Sequence, residues 1–283
     1  MSGTGPAAYR VSLGRKFKAL REASGMDREA VAREMGWDLS KLSRVDNGQA
    51  TLKVAEVDKL LDLFGADEAT AVELREIGQQ ARRRGSYGKV PEWSRPFLGL
   101  EQDAAKLEIF QGELIPGLFQ TEEYARRLIS RSPVVAAADV EKVVEARMRR
   151  RSLLYRENPP RVHLVLGEAA LHIMAGGPKA MLEQLRHLRE LADLDNVTMQ
   201  IFPFSAGEHA SLGVGFTYLT LDLGGAATHW VNIEDLTRTD CLSGANVLEV
   251  YRLTFDSLAI NAAGERETIA LLEQRIDALV AGG

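Results

Sequence analysis

Ser40, Lys41, Ser43 and Arg44 fall within five consecutive positions, a run of hydroxyls and cations interrupted by Leu42. On a helix, Leu42 and Val45 turn to one side and the polar four to the other, which gathers hydrogen-bond donors and positive charge on one face. A face of that kind can meet base edges and phosphates in the major groove of DNA. Leu39, just ahead of it, has no group to hydrogen-bond a base but can touch a thymine methyl. Catalytic signals are absent. His163, His172, His187, His209 and His229 lack the HExxH spacing of a zinc peptidase, and no GxSxG or GxxxxGK stretch occurs. Glu168 and His209 are the pair an acid–base reading would nominate, but a glutamate after Gly167 has an ordinary helix-starting role.

The flanking residues specify how the cationic face is held. Asp27 is placed to cap a helix over residues 28–35, with Ala30, Val31, Ala32 and Met35 at helical spacing. Gly36 supplies the left-handed residue that ends it, and small Ala32 lets the next helix come close. Asp38 caps that second helix and Gly48 stops it. Upstream, Leu13, Phe17 and Leu20 recur at i, i+4 and i+7; downstream, Val54, Val57, Leu60, Leu61 and Phe64 form another apolar stripe. The spacing predicts a closed bundle of four or five helices around a helix-turn-helix.

These seventy or so residues resemble the lambda-repressor type of DNA-binding domain, the XRE family. The resemblance implies base contacts at Leu39, Ser40 and Arg44 with Lys41 and Ser43 close by, backbone phosphate contacts at Arg28, Thr51 and Lys53, and a structural pair of Arg21 with Asp46. The chain departs from the family pattern at Gln49, where a basic residue is usual, and at Leu52 and Lys53, where proline and serine are usual.

With 283 residues, 45% of them hydrophobic, the chain is long enough for more than one such bundle, and two domains are expected. Residues 10–84 hold fifteen basic and thirteen acidic side chains, +2, while the rest hold twenty and twenty-seven, −7, for the total of −5. A weakly basic head on an acidic body fits a protein that touches DNA at one end, although the motif carries that argument and the charge does not. No apolar run approaches a bilayer span, and MSGTGPAAYR has neither the basic nor the apolar part of a signal peptide, so the expected location is the cytoplasm, on the nucleoid when bound to DNA. Cys241 is the sole cysteine, which excludes an internal disulfide and multi-cysteine metal sites; it reads as a buried apolar side chain. No metal or cofactor is expected. The division expected is residues 1–9 disordered, 10–84 the DNA-binding domain, 85–100 a Gly/Pro-rich linker and 101–283 the large domain. Arg82, Arg83 and Arg84 either extend the phosphate footprint or complement a helix dipole.

The fold class expected is a mainly α helix-turn-helix bundle followed by a larger α+β domain. In the latter the pattern predicts helix over residues 101–111, a helix capped by Thr121, a longer helix over 139–156, a buried strand over 161–167, a helix from 177, and strands in VTMQIFPF, GFTYLTLDL and THWVNIE. Two closing helices, about 244–259 and 265–280, complete it. Arg147, Arg149, Arg150 and Arg151 read first as a solvated face beside Glu141 and Glu145, and second as a partner or auxiliary DNA surface. Trp93, Phe119, Tyr124, Phe202, Phe204, Phe216, Tyr218 and Trp230 read as core before they read as a ligand pocket.

LIPGLFQTEEYAR, LGEAALHIMAGGPKAMLEQLRHL and VTMQIFPFSAGEHASLGVGFTYL resemble the C-terminal domain of actinobacterial WhiJ-type, antitoxin-like regulators. Together the two resemblances imply a transcriptional regulator, a repressor or dual regulator and not an enzyme, that binds double-stranded DNA at an inverted-repeat operator as a homodimer. They also imply a small partner protein encoded nearby, or a small-molecule effector, received by the large domain. The alternative is an antitoxin-like interaction protein acting mainly on that partner.

Overall fold

The computed structural model describes residues 5–83, 87–222 and 227–282. It divides into two compact units, one built on residues 5–83 and 98–103, the other on 87–97, 104–222 and 227–282.

The first unit carries five consecutive helices, α1 Pro6–Ala23, α2 Arg28–Met35, α3 Leu39–Asp46, α4 Val54–Leu63 and α5 Glu68–Ala81. Their starts are encoded locally. Pro6, at the first helical position, needs no partner for its missing N–H, while the Asp27, Asp38 and Asp67 carboxylates accept the backbone N–H of Ala30, Lys41 and Thr70. Leu13, Phe17, Val31, Leu42, Val45, Leu60 and Leu74 close the core, each contributing about 1.5–3 kcal/mol by leaving water. α1 lies against α3 and α5, and α2 against α3 and α4. Residues 6–9, expected to be disordered, form the first turn of α1: Ala7 and Ala8 are buried, which gives that turn the packing a free terminus lacks.

The second unit is α+β. After α6 Arg95–Asp103, of which residues 98–103 fall in the first unit, it runs in chain order β1 Lys106–Gln111, α7 Glu122–Ile129, α8 Val140–Arg150, β2 Arg161–Gly167, α9 Ala169–His172, α10 Gly177–Leu191, β3 Val197–Phe202, β4 Phe216–Asp222, β5 Ala227–Glu234, β6 Thr239–Leu242, α11 Ala245–Asn261 and α12 Glu265–Ala281. The sheet runs β3-β2-β1-β4-β5-β6. β1, β2 and β3 are parallel, and β4, β5 and β6 are added antiparallel. Phe255 and Leu258 of α11 pack with Phe110, Val165, Phe216 and Val231 from four strands, and α12 lies against α10 and β3.

Further segments depart from the sequence expectation. Residues 101–111 are not one helix: α6 ends at Asp103 and Lys106–Gln111 is β1, a central strand paired on both edges. Both faces of β1 are covered, so Leu107, Glu108, Ile109 and Phe110 are all buried, and a strand buried on both faces loses the alternation that would mark it. The helix expected over 139–156 stops at Arg150 and tightens into a 3₁₀ turn over Arg151–Tyr155. The linker expected over 85–100 contains a 3₁₀ turn, Glu92–Ser94, and the start of α6; residues 84–86 lie outside the described residues. The short edge strand β6 had no counterpart in the pattern.

Candidate nucleic-acid interface

α3 is anchored by its apolar side and open on the other. Leu42 and Val45 are buried, while Leu39, Ser40 and Arg44 are exposed and Lys41 and Ser43 are partly covered. Its register is set at both ends. The Asp38 carboxylate accepts the Lys41 N–H at 2.5 Å, and Gly36, at φ +66°, turns the chain out of α2. Gly48, at φ +65°, lies where a side chain would strike the α1 backbone, a Cβ falling 2.5 Å from Val11 Cα. Only glycine fits there.

The polar residues differ in freedom. Among the described residues the Arg44 guanidinium makes no ion pair, so its fork of donors is available to a planar acceptor edge. Lys41 is committed: its Nζ lies 2.6 Å from Glu56 Oε1 and 4.3 Å from the centre of the Trp37 ring. Glu56 also accepts the Lys53 backbone N–H at 2.8 Å, so one carboxylate ties α3 to the start of α4. Burial pushes the Glu56 carboxyl up, but the hydrogen bonds from Lys41 and Lys53 outweigh it and hold the group below the usual value. Glu56 was missed in the sequence, although its place three residues after the Lys53 cap has capping-box spacing.

Arg28, at the first turn of α2, and Thr51 and Lys53, ahead of α4, are exposed. Arg21 Nη2 lies 3.7 Å from Asp46 Oδ2, with 9% and 11% of the two side chains exposed. Burial drives the Asp46 carboxyl above its ordinary value despite the opposing charges of Arg21, Arg28 and Lys18. Arg82 and Arg83 sit at the C-terminal cap of α5, with Arg83 Nη1 donating to Gln80; Arg84 lies outside the described residues.

The second unit has its own concave site at the carboxyl ends of β1, β2 and β3. Glu168 and His209 both line it, and no hydrogen bond joins them among the described residues. Glu168 Oε2 accepts the Phe204 N–H at 2.7 Å, and His209 Nδ1 accepts the Ser211 N–H at 3.3 Å. The aromatics divide between roles: Phe202 and Phe204 line the cavity, while Phe119, Tyr124, Phe216, Tyr218 and Trp230 are core. The arginine cluster divides: Arg147 donates to the buried Gln120 and Arg150 lies over the Phe97 ring, while Arg149 pairs with Glu145 on the exposed face of α8. Cys241 is buried, and desolvation pushes its thiol up to about 12. No cluster of metal-ligating side chains and no helix long and apolar enough to cross a membrane occurs among the described residues.

Comparison with known families gives two matches. Residues 12–74 match a helix-turn-helix domain, enclosing the whole of α2 and α3. This points to a DNA-binding regulator rather than an enzyme. No curated protein and no solved structure gave a match. The second match, to the domain of unknown function (DUF5753), takes in residues 94–274, more than half of the 283, and the chain therefore belongs to that family, with a helix-turn-helix domain ahead of it.

Proposed function

We propose that the protein is a sequence-specific transcriptional regulator, acting in the cytoplasm as a homodimer that sets two copies of α3 into successive major grooves of an inverted-repeat operator. One observation carries this reading: Ser40 and Arg44 stand exposed on a short helix whose opposite side is locked into a core. Arg44 reads guanine, Ser40 and Ser43 fix neighbouring base or phosphate contacts, and Leu39 meets a thymine methyl. Arg28, Thr51 and Lys53 hold the phosphates, and Arg21 with Asp46 fixes the end of α3. Lys41 takes part through its tie to Glu56. The test compares operator with random DNA: Arg44→Ala loses about 1–3 kcal/mol on the operator alone, whereas Lys53→Ala weakens both alike. Equal losses for Arg44→Ala on both would remove it from base reading.

The large domain receives the signal, as the resemblance to WhiJ-type, antitoxin-like regulators implies. An antitoxin-like role toward a small partner protein is the second reading. It is favoured by Val250, Leu253 and Ile260, which stand exposed along one side of α11. That reading predicts a stable complex that survives loss of the DNA-binding face.

A further inference from the structure

The cavity at the carboxyl ends of β1, β2 and β3 has a volume of about 380 Å³, within the range of small-molecule sites and at the edge of a parallel sheet where ligands commonly sit. Its inner wall is aromatic. The His209 ring meets Phe110 and Phe202 nearly edge-on, with centroids 5.1 and 4.8 Å apart. Its mouth is apolar: Phe204 and Leu212 are 63% and 66% exposed, and Val214 stands beside them. The charge is one-sided, since Glu113 and Glu168 line the cavity and no lysine or arginine does among the described residues. Desolvation lowers the His209 pKa, which keeps that ring neutral near pH 7. The Glu168 carboxylate gives one oxygen to the Phe204 N–H and lies 3.7 Å from His172 Nε2, which leaves lone pairs for a further donor.

An anion placed here would face Glu168 with no cation among the wall residues to offset it. An ammonium would instead donate a charge-assisted hydrogen bond to that carboxylate. We infer that this cavity binds a compact apolar molecule bearing an amine, its ammonium at Glu168 and its body against Phe110 and Phe202. The inference rests on the proposal that the large domain receives a signal, and it names the class of effector.

Three probes of one shape separate the possibilities: 2-phenylethylamine, 2-phenylethanol and phenylacetate, titrated at pH 7 into the full chain and followed by protein-observed NMR. The amine is expected to bind about tenfold or more tighter than phenylacetate, the size of one partly buried charge-assisted hydrogen bond. Glu168→Gln keeps an acceptor for the Phe204 N–H and should erase the amine's advantage while leaving 2-phenylethanol unchanged. Should Glu168→Gln fail to fold, Val214→Lys at the exposed rim serves instead and should weaken the amine selectively. Phenylacetate binding as tightly as the amine, or an amine indifferent to both variants, would overturn the assignment. Preferred binding of the alcohol or the acid would overturn the amine class while keeping a receiving domain. Binding of none, with DNA binding intact, would overturn both the amine site and the small-molecule form of the receiving role, leaving the DNA reading untouched.

Discussion

At Lys41 and Arg44, two cations three positions apart on one helix, the surroundings assign different work. Arg44 is free to exchange water for base edges, whereas Lys41 would first have to leave Glu56. Glu56→Gln should therefore release Lys41 to the phosphates and steepen the salt dependence of DNA binding by roughly one unit of slope. It should also cost about 1 kcal/mol of stability at pH 7, read by urea denaturation. Because the folded carboxyl titrates below its usual 4.5, its contribution is full above that pH and is lost as pH falls through the folded value, so the deficit of the variant should close in acid. An unchanged salt slope would show that Lys41 already reaches DNA or never does. The Arg21–Asp46 pair behaves oppositely. Burial raises the Asp46 pKa, so ionising it costs the fold: the contribution of this one group is full below 3.8 and is lost as pH rises through the folded value. The pair then serves registry more than stability. Asp46→Ala alone should cost about 3 kcal/mol by leaving the buried Arg21 with the exposed Glu22, 3.8 Å away, as its remaining ion pair, and the double change Arg21→Met with Asp46→Leu much less.

The helical elements announce themselves through their ends. Asp27, Asp38 and Thr121 were readable as caps because a carboxylate or hydroxyl in that place satisfies an orphan N–H whatever the rest of the fold does. Gly36 and Gly48 test how much of that punctuation is backbone conformation. Gly36→Ala meets nothing within 4 Å, so it should cost only the left-handed strain, about 1–2 kcal/mol. Gly48→Ala adds a collision with the α1 backbone and should cost distinctly more; thermal denaturation of the two variants would check the order, and equal losses would contradict it. What escaped the sequence was tertiary in origin. β1 carries Leu107, Ile109 and Phe110 in a run that continues the apolar spacing of α6, and no glycine or proline separates them. Its strand character comes from β2 and β4 on either side, partners that local spacing does not contain. β6 is four residues long, too short for alternation to register. The cavity is half legible in the sequence: Phe202 and Phe204 stand out as aromatics, but their union with Phe110 requires knowing that β1, β2 and β3 run parallel and end together.

For the whole chain, net charge says less than its distribution. A total of −5 would repel DNA, yet residues 10–84 carry +2, and the side chains proposed to read DNA lie within that segment. The second unit holds a cavity at the carboxyl ends of its parallel strands and an exposed apolar helix face. The most direct test of this account is to sequence the fragments that the full chain retains from a random DNA pool. The account predicts enrichment of an inverted repeat with half-site centres about 34 Å, or a multiple of that, apart along the duplex, and loss of the enrichment in Arg44→Ala. A retained pool with no shared sequence, or the same repeat recovered with Arg44→Ala, would contradict it.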